Sequence, residues 1–280
     1  MSTADDGSKA SGAESGGEGV GSLLMYQALA PWWPLLSPVA DYAEEAEFFL
    51  ACLRARGMAS GGDLLELGAG GGNNAGYLAP AFSHVTLVDL SPHMLAHAKA
   101  RLPAADCRVA DMRTVRLGRT FDVVFVHDAI DYMCTEADLA ALFDTVATHC
   151  RPGGLVLLAP DHVMETFEPY TDHGGSDGPD RSLRYLEWAR YGPRQKDGAP
   201  ANTCEVDMTY VLREADQPPR VLHDTHVYGL FPRAHWLAGL RAVGLSATII
   251  KDPFERELFL AQKRHDTGSD GPTESSPTAQ

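Results

Sequence analysis

Leu64-Leu65-Glu66-Leu67-Gly68-Ala69-Gly70-Gly71-Gly72-Asn73-Asn74 is the stretch whose reading decides the fold. A short apolar run carries one carboxylate, Glu66, and runs into glycines at Gly68, Gly70 and Gly72. Such a run reads as a buried strand that turns sharply into a loop without side chains. Glycine tolerates positive φ and lets the backbone touch a ligand. The helix that follows adds free N–H groups at its first turn. Spacing narrows the choice of ligand. The dinucleotide fingerprint G-x-G-x-x-G needs its third glycine at position 73, where this chain has Asn73.

Downstream, Val85-Thr86-Leu87-Val88-Asp89 reads as a second buried strand ending in an acid, 17 residues after Gly72. An acid at that strand end is placed to accept both ribose hydroxyls of an adenosyl group. Ser91-Pro92 then supplies an N-cap and a first-turn proline to a helix with an apolar stripe at Leu95, Ala98 and Leu102. A third strand around Cys107 to Val109 leads to Asp111-Met112. The fourth, Phe121 to Val126, closes on His127-Asp128-Ala129-Ile130-Asp131-Tyr132. Thr135 and Asp138 resemble a capping box for a helix carrying Leu139, Leu142, Phe143 and Val146. Arg151 to Gly154 ends that helix, and Leu155 to Leu158 is a fifth apolar strand. A helix from Pro232 to Val243 and strands at 245–250 and 257–261 complete the pattern. Helices alternating with nearly all-apolar strands imply a mostly parallel sheet covered on both faces.

The run E-x-G-x-G-x-G with acids after the second and third strands resembles class I S-adenosylmethionine (SAM)-dependent methyltransferases, over about Asp63 to Gln262. The resemblance implies an α/β fold: a seven-stranded, mostly parallel Rossmann-like sheet with an N-terminal helical lid and a small antiparallel β insertion. It also implies SAM as cofactor. Glu66 then orders the glycine loop and the methionine amino group, with Gly68, Ala69, Gly70, Gly72 and Asn73 close to the cofactor backbone. Asp89 holds the ribose, Leu90 is also expected at the cofactor, and Asp111 with Met112 meets adenine. Tyr26 and Tyr42 are the lid tyrosines expected to reach the cofactor, and Trp32 or Trp33 is placed to wall the acceptor site. His127 flanks the methyl group.

Methyl transfer is an in-line displacement, so the protein mainly aligns nucleophile, methyl and sulfur. Where the acceptor must lose a proton, a general base adds to the rate. Base candidates lie beyond the fourth and fifth strands. His127 comes first, since its ordinary pKa near ~6.5 suits proton transfer; Asp131, Tyr132, His162 and His173 follow. The expected reaction is methyl transfer to nitrogen, or oxygen, of a small polar metabolite.

The long connection from about Asp161 to Leu230 is where specificity is expected. Its first part, His162 to His173, reads as a polar loop, and three strand-like runs follow at 182–191, 203–213 and 220–230. Val206, Met208, Tyr210 and Leu212 alternate with polar residues, which marks a half-buried antiparallel strand. Similar insertions occur in small-molecule N-methyltransferases, including those acting on amino sugars attached to nucleotides. A divalent metal on His162, Glu165, Asp172 and His173 is the alternative for this segment, but the spacing matches no metal motif, so none is expected.

Domain boundaries follow: a tail at 1–21, one methyltransferase domain at 22–264 with a lid at 22–60 and an insertion at 161–230, and a second tail at 265–280. Both tails are rich in Gly, Ser and polar residues and read as disordered. A net charge of −15 with no basic stripe disfavours nucleic acid. Five scattered cysteines without a C-x-x-C pair suit a reducing cytoplasm. The uncharged stretch Val20 to Ala40 is broken by Pro31, Pro34 and Pro38, so it reads as lid and not as a membrane span. A monomer or homodimer is expected. Two other classes stay open: a nicotinamide-dependent oxidoreductase, disfavoured by Asn73, and a non-catalytic SAM-binding sensor or partner subunit.

Overall fold

A computed structural model describes residues 23–193 and 202–264. The two expected tails and the segment 194–201 of the insertion lie outside the described residues. Among the described residues, eleven strands build two sheets. In the larger, β1 (Gly62–Leu67), β2 (Phe82–Asp89), β3 (Asp106–Val109), β4 (Phe121–Val126) and β5 (Cys150–Leu158) run parallel. The hairpin β10 (Leu245–Lys251) and β11 (Glu257–Lys263) closes it antiparallel against β5. The order β10-β11-β5-β4-β1-β2-β3 reverses direction between β1 and β4, the position where open α/β sheets bind ligands.

Alternation along the strands supplies both faces of this sheet. Leu65 and Leu67 on β1, Val124 and Val126 on β4 and Phe259 on β11 pack against α5 (Glu136–His149) and α6 (Arg233–Ala242). There Trp236 stacks on Phe259 at 4.7 Å between ring centres. Leu64, Val123 and Phe125 point the other way, onto Ala46, Phe49 and Leu53 of α2 (Ala43–Ala55). Between β1 and β2 lies α3 (Asn73–Leu78), and between β2 and β3 lies α4 (Pro92–Arg101), capped as expected by the Ser91 hydroxyl on the Met94 N–H. Thr135 caps α5 in the same way on the Asp138 N–H.

The insertion is a separate antiparallel sheet of β6 (Tyr170–Gly174), β7 (Arg181–Tyr191), β8 (Thr203–Glu214) and β9 (Arg220–Gly229). Three of its strands match the sequence expectation to within a residue or so. The fourth, β6, does not: the polar run before Gly174 pairs with β7 as an edge strand. Its residues are mostly exposed, so no apolar alternation marks it.

Differences also arise in the lid. The expected helical lid is not helical throughout: its start forms only short 3₁₀ turns, at Leu24–Tyr26 and Ala30–Trp32. The Pro-Trp-Trp-Pro turn leads into a single helical turn, α1 (Trp33–Leu36). Pro31 and Pro34 each remove an N–H donor, which limits helix here to single turns. Met25, Leu29 and Trp32 pack under the second sheet against Leu183, Val206, Met208 and Tyr210. The described part of the uncharged stretch is thus the floor of the insertion, and no described helix is long and apolar enough to cross a membrane.

Candidate active site

The glycine loop takes the conformation its composition requires. Gly68, Gly70 and Gly72 all have positive φ, and the N–H groups of Gly68 and Ala69 both donate to the Val88 carbonyl at 2.8 and 3.0 Å. A methyl group on Gly68 would stand 2.2 Å from Cβ of Ala129. Gly68→Ala therefore adds a clash with the Ala129 side chain to an unfavourable φ. The expected result is a loss of about 1–3 kcal/mol in stability together with loss of ligand binding, read by urea denaturation and calorimetry. Gly72 acts differently from its neighbours. It is the left-handed N-cap of α3, packed on Ala98, and does not face the cavity.

A cavity of about 760 Å³ opens at the carboxyl ends of β1, β2 and β4, beneath the lid and the second sheet. Tyr26, Tyr42, Glu66, Gly68, Ala69, Gly70 and Asn73 line it. So do Asp89, Leu90, Asp111, Met112 and His127. Trp33 is a cavity wall, whereas Trp32 is buried in the core beneath the second sheet.

Glu66 is buried, its Oε2 has no hydrogen-bond partner, and it faces the cavity. Burial pushes its pKa up to about 8. The carboxylate that holds the glycine loop is instead Asp89. Its Oδ2 accepts from Gly70 N–H and its Oδ1 from Ser91 N–H, both at 2.8 Å. Asp111 is gripped by Arg113, whose Nη2 donates to Oδ2 at 2.7 Å; Arg113 Nη1 donates on to Asp138 at 2.6 Å. Burial would raise the Asp111 pKa, but Arg113 outweighs it and holds the carboxyl below its usual range.

Asn73 and Asn74 bind the lid to this loop. Asn73 donates to the Ser37 carbonyl at 3.1 Å and Asn74 to Glu45 Oε1 at 3.0 Å. The asparagine that breaks the dinucleotide pattern is therefore a lid anchor. Tyr42 is held in the same corner by the Ser37 hydroxyl at 2.6 Å.

The site differs most from the sequence expectation at His127. Its Nε2 lies 3.2 Å from Glu45 and its Nδ1 2.5 Å from Asp128. Burial alone would lower its pKa, but the two carboxylates, Asp128 foremost, raise it well above the ordinary histidine value. An imidazole held this way is protonated at neutral pH and has no lone pair to accept a substrate proton. Glu45 also takes Arg256 Nη2 at 2.5 Å, and Arg256 continues to Asp252 at 2.7 Å and Asp161 at 3.4 Å. This buried network joins α2 to the hairpin beyond β10.

The other two expected catalytic residues do not line the main cavity. Asp131 and His162 flank a much smaller adjoining pocket with Asp161, Tyr170 and Cys204. Asp131 Oδ2 accepts from the Asp161 N–H at 2.9 Å, and burial next to Asp161 raises its pKa well above the carboxylate range. His162 packs on Phe167 and Tyr170. The metal alternative is not assembled either. Glu165 accepts from Arg233 N–H, Asp172 from Tyr185, and no group of three or more possible ligands occurs among the described residues.

A cluster of which the sequence pointed to Tyr26 and Tyr132 but not to His226 and Tyr228 completes the site. Tyr132 lines the cavity; its hydroxyl lies 2.9 Å from that of Tyr26 and 2.7 Å from Nδ1 of His226. Tyr228, also on the wall, stands 3.3 Å from the same Nδ1. The only signal for His226 was its place on β9, two residues from both Asp224 and Tyr228 on one face. Glu45 gave a similar hint, as an acid beside the Ala46–Phe49–Leu53 stripe of its helix.

The glycine loop, the acids ending β2 and following β3, and the enclosed cavity at the sheet's switch point define a class I SAM-dependent methyltransferase. A methyltransferase-domain family model matches residues 64–154. The chain is 30% identical over 222 residues to dTDP-3-amino-3,4,6-trideoxy-alpha-D-glucopyranose N,N-dimethyltransferase of Streptomyces venezuelae, covering 79% of this chain and 90% of that protein. It is 28% identical to dTDP-3-amino-3,6-dideoxy-alpha-D-glucopyranose N,N-dimethyltransferase of Streptomyces fradiae, covering 78% and 84%. Among solved structures, the sugar N-methyltransferase KedS8 from Streptoalloteichus superimposes with TM-score 0.74 at 25% identity, covering 94% of this chain and 100% of that one. The chain belongs to the SAM-dependent methyltransferase family and is similar to its amino-sugar N-methyltransferases.

Proposed function

We propose that this enzyme methylates the amino group of a sugar carried on a nucleotide. The observation that carries this reading is the acceptor side of the cavity. Beyond the glycine loop it is walled by phenol hydroxyls from Tyr26, Tyr132 and Tyr228 and by the carboxyls of Asp128 and Asp161. Burial and then Asp128 push the Asp161 pKa up to about 7, so this wall favours a group that brings positive charge. An amine does so and a hydroxyl does not. The names of the relatives point to the same acceptor.

The residues present fit SAM. When bound, it supplies an electrophilic methyl group on a sulfonium. Glu66, orphaned and buried, is suited to the ammonium of its methionine part, and this charge would draw Glu66 into its ionised form. Asp89 is suited to the ribose while keeping Gly70 in place. Met112 and Asp111, braced by Arg113, bound the adenine end. Tyr42, the imidazolium of His127 and the lid exclude water and fix the direction of approach. The domain division at 22–264, with lid and insertion, is our reading of the same architecture, and the chain's acidity supports a small-molecule partner over nucleic acid.

The test uses two sugar nucleotides that differ only in bearing an amino or a hydroxyl group at the same carbon. Release of S-adenosylhomocysteine is expected with the amino compound alone. Equal turnover of the hydroxyl compound would overturn the nitrogen assignment.

A further inference from the structure

We infer that His226, behind the cavity wall, is the proton acceptor of this enzyme, reached through the Tyr132 hydroxyl. The inference rests on the proposed amine acceptor. Such an amine is protonated in water and must lose a proton before its nitrogen can attack. His127, the histidine that faces the cavity, is occupied by two carboxylates and cannot take it. Tyr132 faces the cavity and directs its hydroxyl at a buried imidazole 2.7 Å away.

The transfer balances without an outside reactant. The ammonium N–H bond breaks, leaving its electron pair on nitrogen, and the proton joins the Tyr132 oxygen. The proton already on that oxygen passes to His226 Nδ1. The result is a neutral amine, a neutral phenol and an imidazolium. After product leaves, the same path returns the proton to the water of the open cavity.

Three features suit His226 to this role. First, two phenol hydroxyls converge on Nδ1, Tyr132 at 2.7 Å and Tyr228 at 3.3 Å, an arrangement suited to Nδ1 as the acceptor. Second, Nε2 is buried without a hydrogen-bond partner, while Asp224 Oδ2 stands 3.7 Å away. That gap is too long for a hydrogen bond but close enough for an ion pair once the ring gains charge. Third, burial holds the His226 pKa below the ordinary histidine value against the pull of Asp224, so the ring is neutral at pH 7. The surrounding phenols stay protonated because burial raises all three.

The charges around this cluster come from several elements. Asp224 lies on the same strand, with its Oδ2 also accepting from Leu24 N–H of the lid at 2.7 Å. Asp161 and Glu187 act on Tyr228, and Asp128 and Asp89 on Tyr26. All are acids. Asp224 acts on His226 itself and favours a proton arriving there.

Two measurements on the full chain test the relay. In ¹⁵N-histidine NMR of the wild type with S-adenosylhomocysteine, the His226 signal, identified by its loss in His226→Gln, should report a neutral ring protonated on Nε2 at pH 7. A ring protonated on Nδ1, or an imidazolium, would overturn the relay. Should His226→Gln fail to fold, the perturbation caused by Tyr132→Phe identifies the signal. The second measurement is the pH dependence of kcat/KM for dTDP-3-amino-3,6-dideoxy-alpha-D-glucopyranose. The wild type should gain activity as pH rises through the His226 pKa. His226→Gln keeps an acceptor for Tyr132 but does not titrate; it should lose at least ~10-fold in kcat at pH 7 and lose that limb, with KM for SAM unchanged. An unaltered profile would overturn the relay. No turnover by the wild type would overturn the sugar-nucleotide reading, and the NMR result would then decide the relay by itself.

Discussion

Asp89→Ala should weaken SAM binding by at least ~10-fold, and we expect nearer ~100-fold, in isothermal titration calorimetry. The Asp89 carboxylate both lines the cavity and fixes the glycine loop. It accepts from Gly70 N–H and Ser91 N–H at 2.8 Å each. Hydrogen bonds to a charged acceptor are worth about 1.5–3 kcal/mol each, and every 1.4 kcal/mol is a factor of ten in affinity. Part of that loss falls on folding, because Ser91 also joins the lid by donating to the Tyr26 carbonyl. The remainder falls on binding, since Gly70 is then free to leave its left-handed conformation. Unchanged affinity in a folded Asp89→Ala protein would refute both the loop-holding and the ribose role.

Glu45→Ala should give the largest loss of stability of any single substitution considered, about 3–5 kcal/mol, the range for removing one partner of a buried ion pair. Glu45 is buried and neutralises His127 and Arg256 at 3.2 and 2.5 Å while accepting from Asn74. Without it two cations face each other's surroundings with fewer counter-charges, and the lid loses a contact to α3. The pH dependence has a definite sign. Burial alone would raise the Glu45 pKa, but His127 and Arg256 lower it to about 2. A carboxyl whose folded pKa is depressed stabilises the fold above its unfolded value and loses that contribution as pH falls towards the folded one. The window here runs from the ordinary carboxyl range, about 4.5, down to about 2. His127 has the opposite sign. Its raised pKa gives stability that is complete below the unfolded histidine value and fades as pH rises through the folded one. Urea midpoints measured from pH 3 to 9 should therefore fall towards both ends in the wild type and fall less in Glu45→Ala. Equal midpoints for the two proteins at pH 6 would refute the network's structural role.

What was legible in the sequence was what depends on neighbours in the chain. The glycine loop, the acids at Asp89 and Asp111, the Ser91 and Thr135 caps and the alternation of β8 each declare themselves within about ten residues. The lid was legible as a unit but not in its geometry, because prolines at 31 and 34 permit single turns that apolar content alone does not distinguish from a helix. Edge strand β6 carries no alternation, so its pairing with β7 had no signature. The least legible features were long-range. Glu45 meets Arg256 from 211 residues away, and it is Glu45 together with Asp128 that changes His127 from a free imidazole into a held cation. Chemistry at His127 could not be read from the residue alone, since burial and two opposing carboxylates decide its charge. The same holds for His226, whose importance comes from Tyr132 on a different element, 94 residues earlier.

The central claim is that this chain moves a methyl group from SAM to an amine nitrogen. The most direct test supplies SAM with a ¹³C-labelled methyl group and dTDP-3-amino-3,6-dideoxy-alpha-D-glucopyranose to the 280-residue chain, and follows the label by ¹³C NMR. The account predicts a new N-methyl resonance that grows as the sulfonium methyl signal declines and S-adenosylhomocysteine accumulates. A label that stays on SAM, or that emerges as an O-methyl resonance, would contradict it.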